Sequence, residues 1–433
     1  MNIVQITPGA GAMYCGNCFR DNALVAELRR LGHDVTMVPL YLPLTLDEED
    51  QSANTRIFFG GISVYLEQKS SLFRHSPHWL RRLLASRKLL AKVAGRAAST
   101  RAGEVGDMLI SMLRGEEGRQ ARELEELIAW LKTQPKPDVV CLSNALLVGL
   151  ARRLKYDLNT RVTCTLQGED VFLDALPDTH RAKAWALLSE RAKDVDGFIA
   201  PSRYFGDLMG KRLGLPPEKV SVVRNGISLD GYQVQSPKPK VQSPSAPVIG
   251  CLARMCPEKG LDTLVEAFIM LKQRGKVPRL KLHIGGSCGP GDEAFVKSLR
   301  KQLAEAGFIG EAAFFPNLSR VEKISFLEAL TVFSAPANYG EAFGLYVIEA
   351  MAAGVPVVQP RSGAFPEIIE ATGGGLLCER GDPKSLADSI ETLLLDHPRA
   401  RALGEAGQRA VFERFSVAAM AKESLGAFAG LES

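Results

Sequence analysis

A chain of 433 residues, 46% hydrophobic and 24% charged, can bury full cores and is too long for one ordinary domain. Its formal net charge of +4 is small for this size, so the overall balance gives no argument for a nucleic-acid partner. No stretch reaches the roughly 18 apolar residues that span a bilayer, and the start, MNIVQITPGAG, lacks the charged-then-apolar pattern of an export signal, so a cytoplasmic chain is expected. Eight cysteines, most of them in apolar runs such as VVCLSN, VTCTL and IGCLAR, read as reduced small hydrophobes rather than a disulfide framework.

The chain opens on an apolar run, Ile3 to Thr7, followed by a turn-rich loop, a helix expected around Asn22 to Leu31, and a strand from Asp34 to Pro39. Residues 68–103 then break the alternation, with nine Lys or Arg and no acid among Trp79, Leu80, Leu83, Leu84, Leu90 and Val93. That composition reads as a basic helical insertion: either a solvated face, or a surface for peripheral contact with an anionic membrane or a lipid-linked or phosphorylated acceptor. Strands are next expected at Val139 to Leu142, Val162 to Leu166, Gly197 to Ala200 and Val220 to Val223. Residues 233–247, QVQSPKPKVQSPSAP, cannot build a packed core and read as a linker. A second series follows at Pro247 to Ala253, Leu280 to Ile284, Ala312 to Phe315, Val332 to Ala335 and Val355 to Gln359. Short apolar runs alternating with helix-length segments predict an α/β fold of two Rossmann-like domains facing each other across a cleft.

The segment richest in chemistry is Asn338 to Pro356, NYGEAFGLYVIEAMAAGVP, with seven residues between Glu341 and Glu349. Glu341 is expected in a loop after a strand and Glu349 inside the following helix. Ala342, Phe343, Gly344 and Leu345 lead into that helix, so unpaired amides and the positive end of its dipole would face a ligand, and a diphosphate fits. Helical side chains lean toward the N-terminus, so Glu349, about one and a half turns in, would reach back toward a ribose hydroxyl pair. Glu341, at the mouth, would meet a sugar. Upstream, CLARMCPEKGLDTLVEAF puts Arg254 just past a strand and Lys259 at the start of a helix. Two cations on such a loop suit the neutralisation of phosphate charge as a leaving group departs.

Together these motifs resemble those of the retaining glycosyltransferases of family 4, which have the GT-B fold and use NDP-sugars. The resemblance implies that Arg254 and Lys259 bind the donor pyrophosphate, that Glu341 contacts the donor sugar and that Glu349 holds the ribose. It extends through IAPSRYFGDLM at Ile199 to Met209, VVRNGISLDGY at Val222 to Tyr232, and the tail from Phe412 to Phe428. It therefore implies an acceptor-side domain over 1–232, a nucleotide-sugar domain over 248–411, and a closing helix over 412–433 that packs back on the first. Leu318, in the NLSR loop, is expected near the donor base.

Two places depart from the family pattern. Cys15 and Gly16 stand where paired glycines are usual; Gly16 keeps the close approach to the donor, and Cys15 does not. Cys15 and Cys18 are then open to packing, acceptor recognition, redox chemistry, or a metal site with His75 and His78. Asn17 and Arg20 fall on the acceptor side, although Asp21 and Asn22 beside them also suit a helix start. Gln167 stands where many members carry a histidine; it can hydrogen-bond a sugar hydroxyl but cannot titrate near neutral pH. Glu169 and Asp170 are acceptor-side candidates or turn residues.

The implied reaction transfers the sugar with retention to a glycan, lipid-linked or small-molecule acceptor hydroxyl. The departing phosphate oxygen takes the acceptor's proton while Arg254, Lys259 and the helix N-terminus stabilise its charge. The NDP-sugar is a co-substrate, and neither a metal nor another cofactor is expected. Three rival readings are an epimerase or phosphorylase of the same fold, a sugar-nucleotide-binding protein without turnover, and a nicotinamide dehydrogenase. The last needs a G-x-G-x-x-G run, of which PGAGAM has two glycines.

Overall fold

The computed structural model describes residues 1–9, 16–44, 46, 48–59, 102–233 and 246–432. The basic segment 68–103, apart from its last two residues, Cys15, His75, His78 and nearly all of the linker lie outside these. The chain divides into two compact units, Met1–Arg224 with Met420–Ser433, and Asn225–Ala419. The division thus falls at Arg224 and Met420, against the sequence-based bounds of 232 and 412.

The first unit is built on a six-stranded sheet in the order β2-β1-β3-β4-β5-β6. Its strands are β1 (Asn2–Thr7), β2 (Asp34–Pro39), β3 (Val139–Leu142), β4 (Arg161–Thr165), β5 (Gly197–Ala200) and β6 (Val220–Val222). Every pairing in it is parallel. Parallel neighbours need crossovers, and helices such as Gly16–Arg30 and Arg203–Leu213 supply them. Ser202 caps the second of these, its side chain accepting from the Phe205 amide at 3.1 Å.

The helix expected from Asn22 begins at Gly16 instead. Asp21 and Asn22, a pair suited to capping, lie inside it and are buried. Asn22 serves another segment: its side chain donates to the Glu49 carbonyl and accepts from the Gln51 amide, both at 2.9 Å.

The second unit repeats the scheme with the order β12-β11-β10-β7-β8-β9. Here the strands are β7 (Val248–Leu252), β8 (Lys281–Gly286), β9 (Ala312–Pro316), β10 (Val332–Phe333), β11 (Val357–Pro360) and β12 (Gly375–Cys378). All pairings are again parallel. Strands β7 and β11 are buried along their whole length, as a sheet covered on both faces requires. Phe268, Phe333 and Phe365 lie fully buried in this core, and each contributes about 1.5–3 kcal/mol relative to an exposed ring. The final helix of the unit leads into a parallel bridge between Ile227 and Ser416, which ties the unit's first residues to its last.

Candidate active site

The second sheet changes direction between β7 and β10, which are neighbours with β8 on one side and β11 on the other. Loops leaving the carboxyl ends of such a pair diverge, and the crevice between them is where open parallel sheets bind ligands. The β7 loop runs through Arg254 to a short turn, Pro257–Lys259, and the β10 loop runs through Tyr339 and Glu341.

Backbone hydrogen bonds lock these loops together. Asn338 donates to the Glu258 carbonyl at 3.1 Å, Met255 to Ser287 at 2.8 Å, and Ala364 to Glu341 at 2.9 Å. The approach is close enough to demand glycine at two points. A Cβ on Gly260, whose φ is +69°, would sit 1.9 Å from the Pro336 carbonyl oxygen, and one on Gly363 would sit 2.4 Å from the Glu341 nitrogen.

Lys259 and Glu341 meet across the crevice, with Nζ 2.5 Å from Oε2. Two phenols join them: Tyr346 donates to Oε2 at 2.7 Å and Tyr339 donates to it at 2.8 Å. Lys259 in turn donates to the Tyr339 oxygen at 2.5 Å and lies 5.0 and 5.1 Å from the Tyr339 and Tyr346 ring centroids. Burial opposes the ionisation of Glu341, but the Lys259 charge and the hydrogen bonds from Lys259, Tyr346 and Tyr339 outweigh it. The carboxyl is therefore held below its ordinary value. Burial, then the Glu341 charge, pushes the Tyr346 phenol well above its ordinary value, so it remains a donor.

Arg254 and Glu349 have partners of their own. Asp292, buried on the far side of the β8 loop, takes Arg254 through Nε at 3.2 Å and Nη2 at 2.9 Å, and accepts from the Gly289 amide at 3.0 Å. This grip engages Nε and Nη2, and among the described residues Nη1 makes no hydrogen bond. Glu349 sits in the Leu345–Ala352 helix and forms an ion pair of 2.8 Å with Lys323, from the Arg320–Glu328 helix.

The Leu345–Ala352 helix opens on Gly344, in the left-handed region, an N-cap residue that makes no side-chain bond to the helix. Phe343 and Ala342 are buried, and the Phe343 ring packs 6.2 Å from that of Phe415. The Phe343 side chain thus serves the core. Leu318 is half-buried against the same core.

In the first unit, Gly16 is exposed and Asn17 half-buried where the Gly16–Arg30 helix begins. Arg20 is buried and paired with Asp21 at 3.1 Å. Cys18 is buried. Glu169 accepts the Ala145 amide at 2.7 Å through Oε1 and the Gln167 amide at 2.8 Å through Oε2, which fixes the loop after β4. Burial pushes the Glu169 carboxyl up, and these amides pull it back. Asp170 is buried as well, and burial raises its carboxyl too. Gln167 is half-buried, and its Nε2 has no acceptor among the described residues.

Closely spaced aspartates suited to a divalent cation occur at Asp194 and Asp196, but both are engaged. Asp194 pairs with Arg152 at 3.1 Å, and Asp196 binds Lys155 and accepts the Val162 amide at 2.9 Å. Among the described residues no group of three or more His, Cys, Asp or Glu is arranged to hold a metal.

Sequence reasoning missed Tyr339, Tyr346, Asp292 and Lys323. The tyrosines flank Glu341 within five residues, and Asp292 ends the turn-forming run CGPGD after β8. Those signals were available; for Lys323 there was none.

Comparison with known proteins bears on what this site does. Residues 235–410 match the family described as Glycosyl transferases group 1, and residues 93–230 match Glycosyltransferase Family 4. A GDP-mannose-dependent alpha-(1-6)-phosphatidylinositol monomannoside mannosyltransferase of Mycobacterium tuberculosis is 27% identical over 273 residues, 60% of this chain and 67% of that protein. The lipopolysaccharide core biosynthesis mannosyltransferase LpsB of Rhizobium meliloti is 30% identical over 212 residues, 46% of this chain and 57% of its own. Among solved structures, a sucrose-phosphate synthase of Thermosynechococcus elongatus aligns with a TM-score of 0.70 at 18% identity, over 98% of this chain and 97% of that one. Anabaena HepE, solved with UDP, aligns with a TM-score of 0.67 at 16% identity, over 98% and 99%. These structural likenesses speak for the fold, which is GT-B. Consecutive matches to its two family descriptions, on a fold of the same class, show that the chain belongs to the group 1, family 4 glycosyltransferases.

Proposed function

We propose that this glycosyltransferase takes its sugar from an NDP-sugar bound at the β7/β10 crevice and transfers it with retention to an acceptor hydroxyl. The observation that carries this reading is the Lys259–Glu341 pair beside the uncapped Leu345–Ala352 helix. A diphosphate before that helix would meet free amides and a positive dipole end, with Lys259 and the open edge of Arg254 as counter-charges. Glu341, held ionised, would accept from sugar hydroxyls, and Glu349 from the ribose.

As the sugar–phosphate bond breaks, the same cations and amides would stabilise the leaving oxygen, which takes the acceptor's proton. That scheme asks for no metal. The names of similar proteins support the donor class: one is GDP-mannose-dependent, and HepE is solved with UDP-glucose. A glycan, a lipid-linked or a small-molecule hydroxyl is the proposed acceptor, and the cytoplasm the proposed location. No described helix is long and apolar enough to cross a membrane.

A thermal-shift panel of GDP, UDP, ADP and their common sugar conjugates tests the donor. A diphosphate at about 100 times its dissociation constant should stabilise the fold by roughly 2.7 kcal/mol. Stabilisation by one base over the others identifies the donor. No shift with any of them contradicts the reading.

A further inference from the structure

Three donors converge on a single oxygen of Glu341: Lys259 at 2.5 Å, Tyr346 at 2.7 Å and Tyr339 at 2.8 Å all point to Oε2. A carboxylate has about four lone-pair directions, two on each oxygen. Concentrating every side-chain donor on Oε2 fixes the plane of the group and turns Oε1 away from them.

The two phenols are not interchangeable. The Tyr339 oxygen is shared, since it accepts from Lys259 while donating to Glu341. Tyr346 is committed to Glu341, and its half-buried ring packs against the core beside Phe333 and Phe365, at centroid distances of 6.2 and 6.4 Å. Its phenol therefore arrives from a rigid element, the first turn of the Leu345–Ala352 helix, at an oxygen on a loop. When Lys259 turns toward an arriving phosphate, the Tyr346 bond remains.

Resting on the donor reading above, we infer that Tyr346 is a positioning residue for the sugar: its hydroxyl clamps Oε2 of Glu341 so that Oε1 is the atom offered to the donor sugar's hydroxyls. Tyr346 thus acts on the sugar half of the donor and leaves the nucleotide half alone.

Three titratable groups bear on this carboxylate, Lys259 from the β7 loop, Tyr339 from its own loop and Tyr346 from the helix, and Cys251 of β7 in turn bears on Tyr346. Burial pushes the Cys251 thiol to about 12, so it stays neutral and adds no titration of its own. Removing the Tyr346 hydroxyl takes away a bond to the ionised form of Glu341, so that carboxyl must rise.

The test is Tyr346→Phe, which keeps the half-buried ring and deletes one hydroxyl. Calorimetric dissociation constants for GDP, GDP-mannose, UDP and UDP-glucose are measured across pH in wild type and variant, beside melting temperatures. For the matched pair, the variant should bind the NDP-sugar about tenfold more weakly, the loss expected for one hydrogen bond to a charged group, with the free NDP unaffected. The acid limb of NDP-sugar binding should also move to higher pH. Tyr339→Phe, a second removal of an Oε2 donor, should shift the limb in the same direction.

Equal losses for NDP and NDP-sugar would show a general packing role and overturn the inference, as would no change in either. A wild type that binds no NDP overturns the donor reading and this inference together. A wild type that binds normally beside an unchanged variant overturns this inference alone.

Discussion

Lys259 is paired with Glu341, with side chains 18% and 13% exposed, and on the proposed reading a diphosphate would compete for its charge. Glu341 has its carboxyl lowered by Lys259 and the phenols against the opposing effect of burial. Its contribution to stability is complete above the unfolded value of about 4.3 and is lost as pH falls through the lowered folded value. Glu341→Gln should therefore melt below wild type at neutral pH, by about 1–3 kcal/mol for bonds to a charged group. That gap should narrow as both are titrated to an acid pH below the lowered folded value. A gap that stays constant down to that pH would mean the pair adds nothing through its charge. At this scale the sequence announces Arg254, Lys259, Glu341 and Glu349, because their spacing around a strand, a loop and a helix is itself the signal. Lys323 escapes it, because what matters about it is a tertiary partner 26 residues away, whereas Tyr346 lies five residues from Glu341 and Asp292 ends a turn-forming run, signals the motif reading passed over. Glu169 was legible as a polar residue near a strand end, but only its two backbone partners reveal that it braces the loop.

The elements of the second unit hold the site by close backbone contact at their carboxyl ends. Gly260 joins the Pro257–Lys259 turn to the Leu261–Arg274 helix and lies against the β10 loop. Gly260→Ala should cost about 2–4 kcal/mol, because a methyl meets backbone that cannot swing aside. Gly275→Ala is the control: φ there is +66° against +69° at Gly260, yet nothing lies within 4 Å of its Cβ. It should cost only about 1 kcal/mol, the strain of a left-handed alanine. Equal destabilisation of the two, read from chemical denaturation, would contradict the loop-packing account. Strands were the most legible elements, because buried parallel strands are uninterrupted apolar runs. β12 escaped detection, since GGGLLC reads as a loop until β11 is there to pair with it. The first helix was misjudged at its start, since Asp21 and Asn22 resemble a cap yet bind within the fold.

For the whole molecule, alternation of apolar runs and helical segments was enough to give two parallel α/β units, and each builds a six-stranded sheet with a switch in strand order. The candidate site residues gather at the switch of the second unit, where diverging loops leave room between strand ends. Composition was silent on base, sugar and acceptor, since these are read by pocket shape. On the proposed reading this crevice holds an NDP-sugar through Glu341 and Glu349. Isothermal calorimetry of wild type, Glu341→Gln and Glu349→Ala with the NDP and NDP-sugar selected by the thermal panel tests it most directly. Glu349→Ala should weaken both ligands by about tenfold or more, and Glu341→Gln should weaken the NDP-sugar far more than the NDP. Wild-type affinity for both ligands in both folded variants would contradict the claim.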